Sequence, residues 1–242
     1  MTINKVCLSG LTAVIDAARL IRLGEADVVV AGGQESMTNA PHLLPGARKG
    51  FKYGPATMLD AVAWDGLTDS LSHEAMGELT ESGNGERNIA RAEQDEVAAA
   101  SHQRAARAQS EGVFEGEIAP VEVPQRKGDP VVVDKDEHVR PGTTEESLGK
   151  LRPVMGKTLD GATVTAGNAS GQNDGAAAMI VTTREKAEEL GLDAYAVLRG
   201  WAVSGVAPEI MGIGPVEATT KVCDRLGLTL DDIDLIELNE AF

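Results

Sequence analysis

The sequence predicts an α/β protein of layered type, and three observations carry that prediction. Apolar residues at helical spacing lead into a β-branched run within residues 11–33, a second apolar run over 176–181 precedes another helical segment, and the composition is that of a globular chain. With 242 residues, 42% hydrophobic and 25% charged, the chain can bury a sizeable core as one large domain or two modest ones.

Each element has its own signal. Leu11, Val14, Ile15, Ala18 and Ile21 recur every three or four residues, one face of a helix that ends near Gly24. Ala26-Asp27-Val28-Val29-Val30-Ala31-Gly32-Gly33 is a β-branched run closed by glycines, which predicts a strand buried on both faces; helix followed by such a strand predicts a parallel sheet. Residues 37 to about 163 read as an excursion rich in Gly, Pro and charge. Within it Arg91 to Ser110 is Ala-rich and helical, and Ile118 to Pro124 with Pro130 to Asp134 form two strands about the turn Arg126-Lys127-Gly128-Asp129. Ala176 to Val181 returns to a buried strand, the helix Arg184 to Leu190 ends at Gly191, Val216 to Leu226 is helical, and Ile233 to Leu238 reads as a strand.

Composition excludes several classes. The 38 acidic against 22 basic residues give a net charge of -16, which repels nucleic acid and anionic lipid, so no nucleic-acid partner is expected. No run reaches the roughly eighteen apolar residues of a membrane span. The two cysteines, Cys7 and Cys223, are far apart and no secretory leader is evident, which predicts a cytoplasmic protein with free thiols. His42, His102 and His138 have no metal-ligand spacing with each other or with the cysteines, so no metal is expected, and His73 reads as a solvated loop residue. Cys223 reads as a core or surface residue of its helix.

The chemistry begins at Asn4-Lys5-Val6-Cys7-Leu8-Ser9-Gly10, which runs into the first helix. A thiol at a helix N-terminus faces unpaired N–H groups and the positive end of the helix dipole, which favour a thiolate. Local context leaves a second reading, a small buried hydrophobe. Further motifs follow in order: Gly32-Gly33-Gln34-Glu35-Ser36-Met37, Asp65-Gly66-Leu67 before Met76-Gly77, Leu151-Arg152-Pro153, Val164-Thr165-Ala166-Gly167-Asn168-Ala169-Ser170-Gly171, Met211-Gly212-Ile213-Gly214-Pro215, and Asn239-Glu240-Ala241-Phe242. Taken together, from residue 4 to residue 242, this series resembles the thiolase family, which makes and cleaves 3-oxoacyl-CoA thioesters.

The resemblance implies a thiolase-like layered αβαβα core of two similar halves with an inserted loop domain, here incomplete at both ends. Residues 1–36 would belong to the N-terminal core half, 37–163 to the coenzyme-A-binding loop domain, 164–190 to the rest of the N-terminal half, and 191–242 to the start of the C-terminal half, which Ala194 to Val206 would open. Cys7 would be the acyl-accepting nucleophile, its own N–H serving one oxyanion, with Leu8 standing where many members have glycine. Asn239 would hold a water that donates to the thioester oxygen of acetyl-CoA, with Glu240 behind it and Phe242 as a wall of the pocket. Arg140 and Ser147 would contact the nucleotide of coenzyme A, within the only local gathering of positive charge: Arg126, Lys127, Arg140, Lys150, Arg152 and Lys157. Ala166 and Ser170 would touch the pantetheine arm, and Leu67 and Met76 would line the apolar pocket beside it. Ala75 stands where some members, including biosynthetic ones, have histidine, which bears on acyl chain length.

The implied activity is acetyl-CoA acetyltransfer, two acetyl-CoA giving acetoacetyl-CoA and CoA, with coenzyme A thioesters as substrates and no permanently bound cofactor. A homodimer or homotetramer is expected of the complete protein. Three alternatives compete with it: a longer-chain 3-ketoacyl-CoA thiolase of fatty-acid degradation, a non-catalytic thiolase-like CoA or lipid binder, and a ketosynthase acting on acyl carrier protein. Cys7 argues against the second, and Arg140 with Ser147 against the third. The family also uses a histidine in Gly-His-Pro and a second cysteine in Cys-x-Gly-Gly, both downstream of Asn-Glu-Ala-Phe. The 242 residues contain neither, so the expectation is an internal stretch of a thiolase, inactive by itself.

Overall fold

A computed structural model describes every residue from Met1 to Phe242. In chain order the elements are α1 (Ser9–Arg22), β1 (Val28–Glu35), β2 (His42–Leu43), β3 (Leu59–Asp60), α2 (Met76–Arg87), α3 (Arg91–Ser110), β4 (Val121–Val123), β5 (Val131–Val133), α4 (Glu145–Gly149), β6 (Gly175–Thr182), α5 (Arg184–Glu189) and α6 (Gly214–Leu226). They form two compact units: Met1–Met76 with Gln172–Glu237, and Gly77–Gly171 with Leu238–Phe242.

In the first unit α1 packs on β1 and β6. Its periodic apolar stripe buries Ile15 and Ala18, joined by Ala17. The helix stops where Gly24 takes φ +72°, a left-handed value that a side chain disfavours, and the carbonyls of Leu20 and Ile21 accept from Glu25 and Gly24, each at 3.0 Å. Gly33 of β1 lies against Gly10 of α1, where a Cβ on Gly33 would lie 3.7 Å from Gly10 Cα, an ordinary contact.

Strand β1 pairs with β6 over its whole length, from Val28 opposite Thr182 to Glu35 opposite Gly175, and the pair is antiparallel. The parallel expectation is therefore corrected. A parallel pair needs a crossover between its two strands; here the helix precedes β1, and the partner is reached only after the long excursion, which fixes no direction. The expected burial on both faces is corrected too. Ala31 is buried and Val29 half-buried under α1, while Val28 and Val30 on the opposite face are 41% and 73% exposed, because this sheet has two strands and one covering helix.

The expected strand over Ile233 to Leu238 is absent, since no other strand pairs with it, and Leu235, Ile236 and Leu238 are exposed. The Arg91 to Ser110 helix, the β4–β5 hairpin with its turn at Gly128 and the helix α6 all form as expected. In the second unit α3 packs on α4, and the core gathers Leu79, Ala99, Leu148 and Val164 around an unusual buried polar set: Glu81, Asp95, Thr143, Thr165 and Asn168.

Candidate active site

Cys7 lies in a one-turn 3₁₀ segment, Val6–Leu8, that feeds α1. The thiol is free and exposed, which removes the buried-hydrophobe reading. The residue before it, Val6, has φ +49°, a left-handed backbone rare for a β-branched side chain and costing about 1–3 kcal/mol. Neighbours hold it there. Asn4 Oδ1 accepts from Val6 N–H at 2.9 Å, Ser9 Oγ accepts from Lys5 N–H and donates to Val6 O, both at 2.7 Å, and Leu8 N–H donates to Lys5 O at 3.0 Å. Cys7 is thus presented at a strained turn directly ahead of a 14-residue helix. Cys7 stands at the helix entry that the sequence predicts; the roles of Asn4 and Ser9 in holding the turn were not read from the sequence, although their polar side chains beside it were the available signal.

The same unit brings Leu67 and Met76 together. Met76 N–H donates to Leu67 O at 2.9 Å and Asp69 N–H to Glu74 O at 2.9 Å, so residues 67–76 form a small hairpin with the two predicted pocket residues, both half-buried, at its base. Asp69 caps the tip, accepting from Ser72 N–H at 2.6 Å and Leu71 N–H at 2.9 Å. The Ser72 N–H in particular holds its carboxyl below the ordinary range. His73, in the left-handed region and exposed, stacks on Trp64 with ring centroids 6.2 Å apart. Ala75 is half-buried beside Met76. Beyond β1, Asp174 accepts from Thr38 N–H at 2.9 Å and from the Ser36 hydroxyl at 3.3 Å, and the Thr38 N–H is the chief cause of its lowered pKa.

The second unit holds the remaining candidates. Residues 163–171 turn around three buried anchors, Val164, Thr165 and Asn168, and leave Ala166 and Ser170 exposed. Gly167 packs tightly here: a Cβ would lie 2.5 Å from both Leu148 Cδ2 and Leu151 Cδ1, so these leucine side chains would have to turn aside. Glu81, from α2, accepts from Thr163 N–H at 2.8 Å, Thr163 Oγ1 at 2.8 Å and Val164 N–H at 2.7 Å. Asp95, from α3, accepts from Asn168 Nδ2 at 3.0 Å and pairs with Arg91 Nε at 2.8 Å; Asn168 Oδ1 in turn accepts from Thr165 N–H at 2.7 Å. Sequence reasoning missed Glu81, Arg91 and Asp95. The one signal was Asp95 four residues from Arg91 and four from the buried Ala99, in the small-residue stripe of α3.

Ser170 is joined to the end of the chain: its N–H donates to Ala241 O at 3.0 Å. Glu240 accepts from Ser101 Oγ at 2.7 Å, so Asn239, itself exposed, and Phe242, 44% exposed, flank a pinned segment. Arg140 presents an exposed side chain, and its N–H donates to His102 Nδ1 at 3.2 Å, giving that histidine a partner sequence reasoning did not supply. Ser147 lies in the cap of α4: its hydroxyl accepts from Thr144 N–H at 3.0 Å and donates to Thr144 O at 2.8 Å. Of the basic residues around them, Lys150 is paired with Glu146 at 2.7 Å, an exposed pair of little energetic weight. Cys223 lies on α6, partly exposed and unpaired.

Comparison with known proteins covers the whole chain. Residues 1–185 match the family model described as thiolase, N-terminal domain, and residues 192–242 that described as thiolase, C-terminal domain. An acetyl-CoA acetyltransferase of Chromobacterium violaceum is 52% identical over 241 residues, covering 100% of this chain and 61% of the relative. A probable acetyl-CoA acyltransferase of Staphylococcus epidermidis is 53% identical, over 100% of this chain and 60% of its own length. Among solved structures, an acetyl-CoA acetyltransferase of Bacillus anthracis superposes with TM-score 0.92 at 42% identity, and one of Syntrophomonas wolfei with TM-score 0.94 at 40%. Each of these is covered over 60% of its length and covers this chain completely.

Proposed function

The chain belongs to the thiolase family, and from that premise we propose that the protein transfers acyl groups between coenzyme A thioesters through an acyl-enzyme on Cys7. The observation that carries the reading is an exposed thiol at a strained turn ahead of α1. In the first step Cys7 Sγ attacks the thioester carbonyl carbon of an acyl-CoA; the new S–C bond forms as the bond to CoA breaks and CoA leaves as its thiolate. In the second, a methyl C–H bond of acetyl-CoA breaks, its proton balancing the CoA thiolate released in the first step, and the resulting carbanion attacks the acyl-enzyme carbonyl; a C–C bond forms and the Cys7 thiolate is released. Each step passes through a tetrahedral oxyanion, and N–H groups at a helix N-terminus suit such a charge.

Acetyl-CoA is the preferred substrate in this reading, supported by relatives that are acetyl-CoA acetyltransferases. The longer-chain reading has one observation in its favour, the small Ala75 at the base of the 67–76 hairpin. Arg140 and Ser147 would hold the nucleotide, Ala166 and Ser170 the pantetheine arm, with Leu67, Met76 and Phe242 as apolar walls and Asn239 holding the water that polarises the second thioester. The Ser147 hydroxyl keeps one acceptor position free beside its capping bonds. Intact-mass analysis of the complete protein after exposure to acetyl-CoA tests the mechanism: one acetyl group is expected on the unaltered chain and none on Cys7→Ser, and an undiminished thioester adduct on the variant would overturn it.

A further inference from the structure

Four polar side chains of α3 reach the segments assigned above to coenzyme A and the reacting thioester, while Gln103 and Gln109 donate to the carbonyls of Thr143 and Asp136 at 3.3 and 3.5 Å. Asp95 reaches Asn168 at 3.0 Å, Gln94 reaches Thr163 Oγ1 at 2.9 Å, Ser101 reaches Glu240 at 2.7 Å, and His102 accepts from Arg140 N–H at 3.2 Å. Gln94 and Ser101 are seven residues apart, as are Asp95 and His102, so these four contacts lie on adjacent stripes of one face. Arg91, one turn before Asp95, donates to Leu148 O at 2.7 Å and Leu151 O at 3.2 Å, beside the cap that contains Ser147.

We infer that α3 is the alignment bar of the coenzyme site, and that Asp95 and Ser101 are positioning residues which set Ser170 and Asn239 in register. The inference rests on the coenzyme reading above. Asp95 is 3% exposed and acts through Asn168, whose amide carries both halves of the relay: Nδ2 donates to Asp95, and Oδ1 accepts from Thr165 N–H. That relay fixes the turn from which Ala166 and Ser170 emerge. Ser101 acts through Glu240, the neighbour of Asn239. The two paths close on each other at the Ser170 N–H to Ala241 O bond, so the surface around it is referred twice to a single rigid helix. A helix interior is a better ruler than a loop, and neither residue needs to touch ligand for its loss to misplace the groups that do.

The test uses coenzyme A itself as probe, with amide hydrogen exchange and calorimetric affinity measured on the complete protein and on Asp95→Asn, Ser101→Ala and Phe114→Ala. Phe114 lies four residues past the end of α3 and serves as the control for lost stability alone. The expected result is faster exchange over residues 163–171 in Asp95→Asn and over 238–242 in Ser101→Ala, and coenzyme affinity lower by about tenfold in Asp95→Asn. In Phe114→Ala affinity should stay within twofold although its melting temperature falls. Loosened exchange over 163–171 with unchanged affinity would overturn the positioning role and leave the coenzyme reading intact, as would unchanged exchange in both variants. An unaltered protein that does not bind coenzyme A would overturn the coenzyme reading, and the inference with it.

Discussion

The turn that presents Cys7 and the loop that presents Ser170 expose one chemical group each, but they are held in opposite ways. Around Cys7 every supporting hydrogen bond joins residues within four positions of one another, from Asn4 to Ser9. In the loop that carries Ser170 the supports reach 73 residues from Asn168 to Asp95 and 82 from Thr163 to Glu81, both buried carboxylates. A local turn can store backbone strain in a few residues and keep its thiol accessible, which suits the role proposed for Cys7. The coenzyme role proposed for the Ser170 loop calls for a reference outside the loop itself, and burial makes that reference stiff at the risk of a large penalty if one partner is lost.

Substitutions in the two regions should therefore differ in kind. The largest effect is expected at the turn: Cys7→Ser should abolish acyl-enzyme formation while leaving the melting temperature nearly unchanged, because the thiol is exposed. Next, Glu81→Ala should cost about 3 kcal/mol in denaturant unfolding, since two backbone N–H groups and a hydroxyl lose a charged acceptor in a buried site. A loss under about 0.5 kcal/mol would mean that water replaces the carboxylate, and the contrast with the Cys7 turn would weaken. Arg140→Ala should raise the Michaelis constant for acyl-CoA by an amount worth about 1–3 kcal/mol with turnover little changed; steady-state kinetics showing the reverse split would move Arg140 from binding to chemistry. The smallest effect concerns Asp174, a third arrangement, exposed yet bonded to backbone. Its carboxyl is held below the ordinary value of 3.8, so its hold on Thr38 is present above that value and is lost as pH falls through the lower folded one. Asp174→Ala should speed amide exchange at Thr38 at neutral pH, and the unaltered protein should show the same change only in acid.

The same division explains what could be read in advance. Helix α1 announces itself by spacing and its end glycine, α3 by its alanine content, and the β4–β5 hairpin by its turn. Cys7 at a helix N-terminus was legible because its surroundings are its sequence neighbours. The direction of β6 against β1 was not, since pairing is a relation between distant segments and Val28–Val30 looks alike in either orientation. Residues 233–238 carry strand-like alternation, but a strand exists only where a partner accepts its hydrogen bonds. Glu81 and Asp95 look like ordinary charged residues of solvent-facing helices; what makes them central is burial by segments far along the chain.

The antiparallel β1–β6 ladder has a consequence for the order in which the molecule forms. Its two strands are separated by the whole of residues 36–174, so β1 leaves the ribosome long before Gly175–Thr182 exists to pair with it. Closing so long a loop is entropically slow when the intervening chain is open, and much easier once residues 77–171 have collapsed into their own compact unit and drawn the ends together. Until then a run of three valines waits as an unpaired edge, open to pairing with another chain.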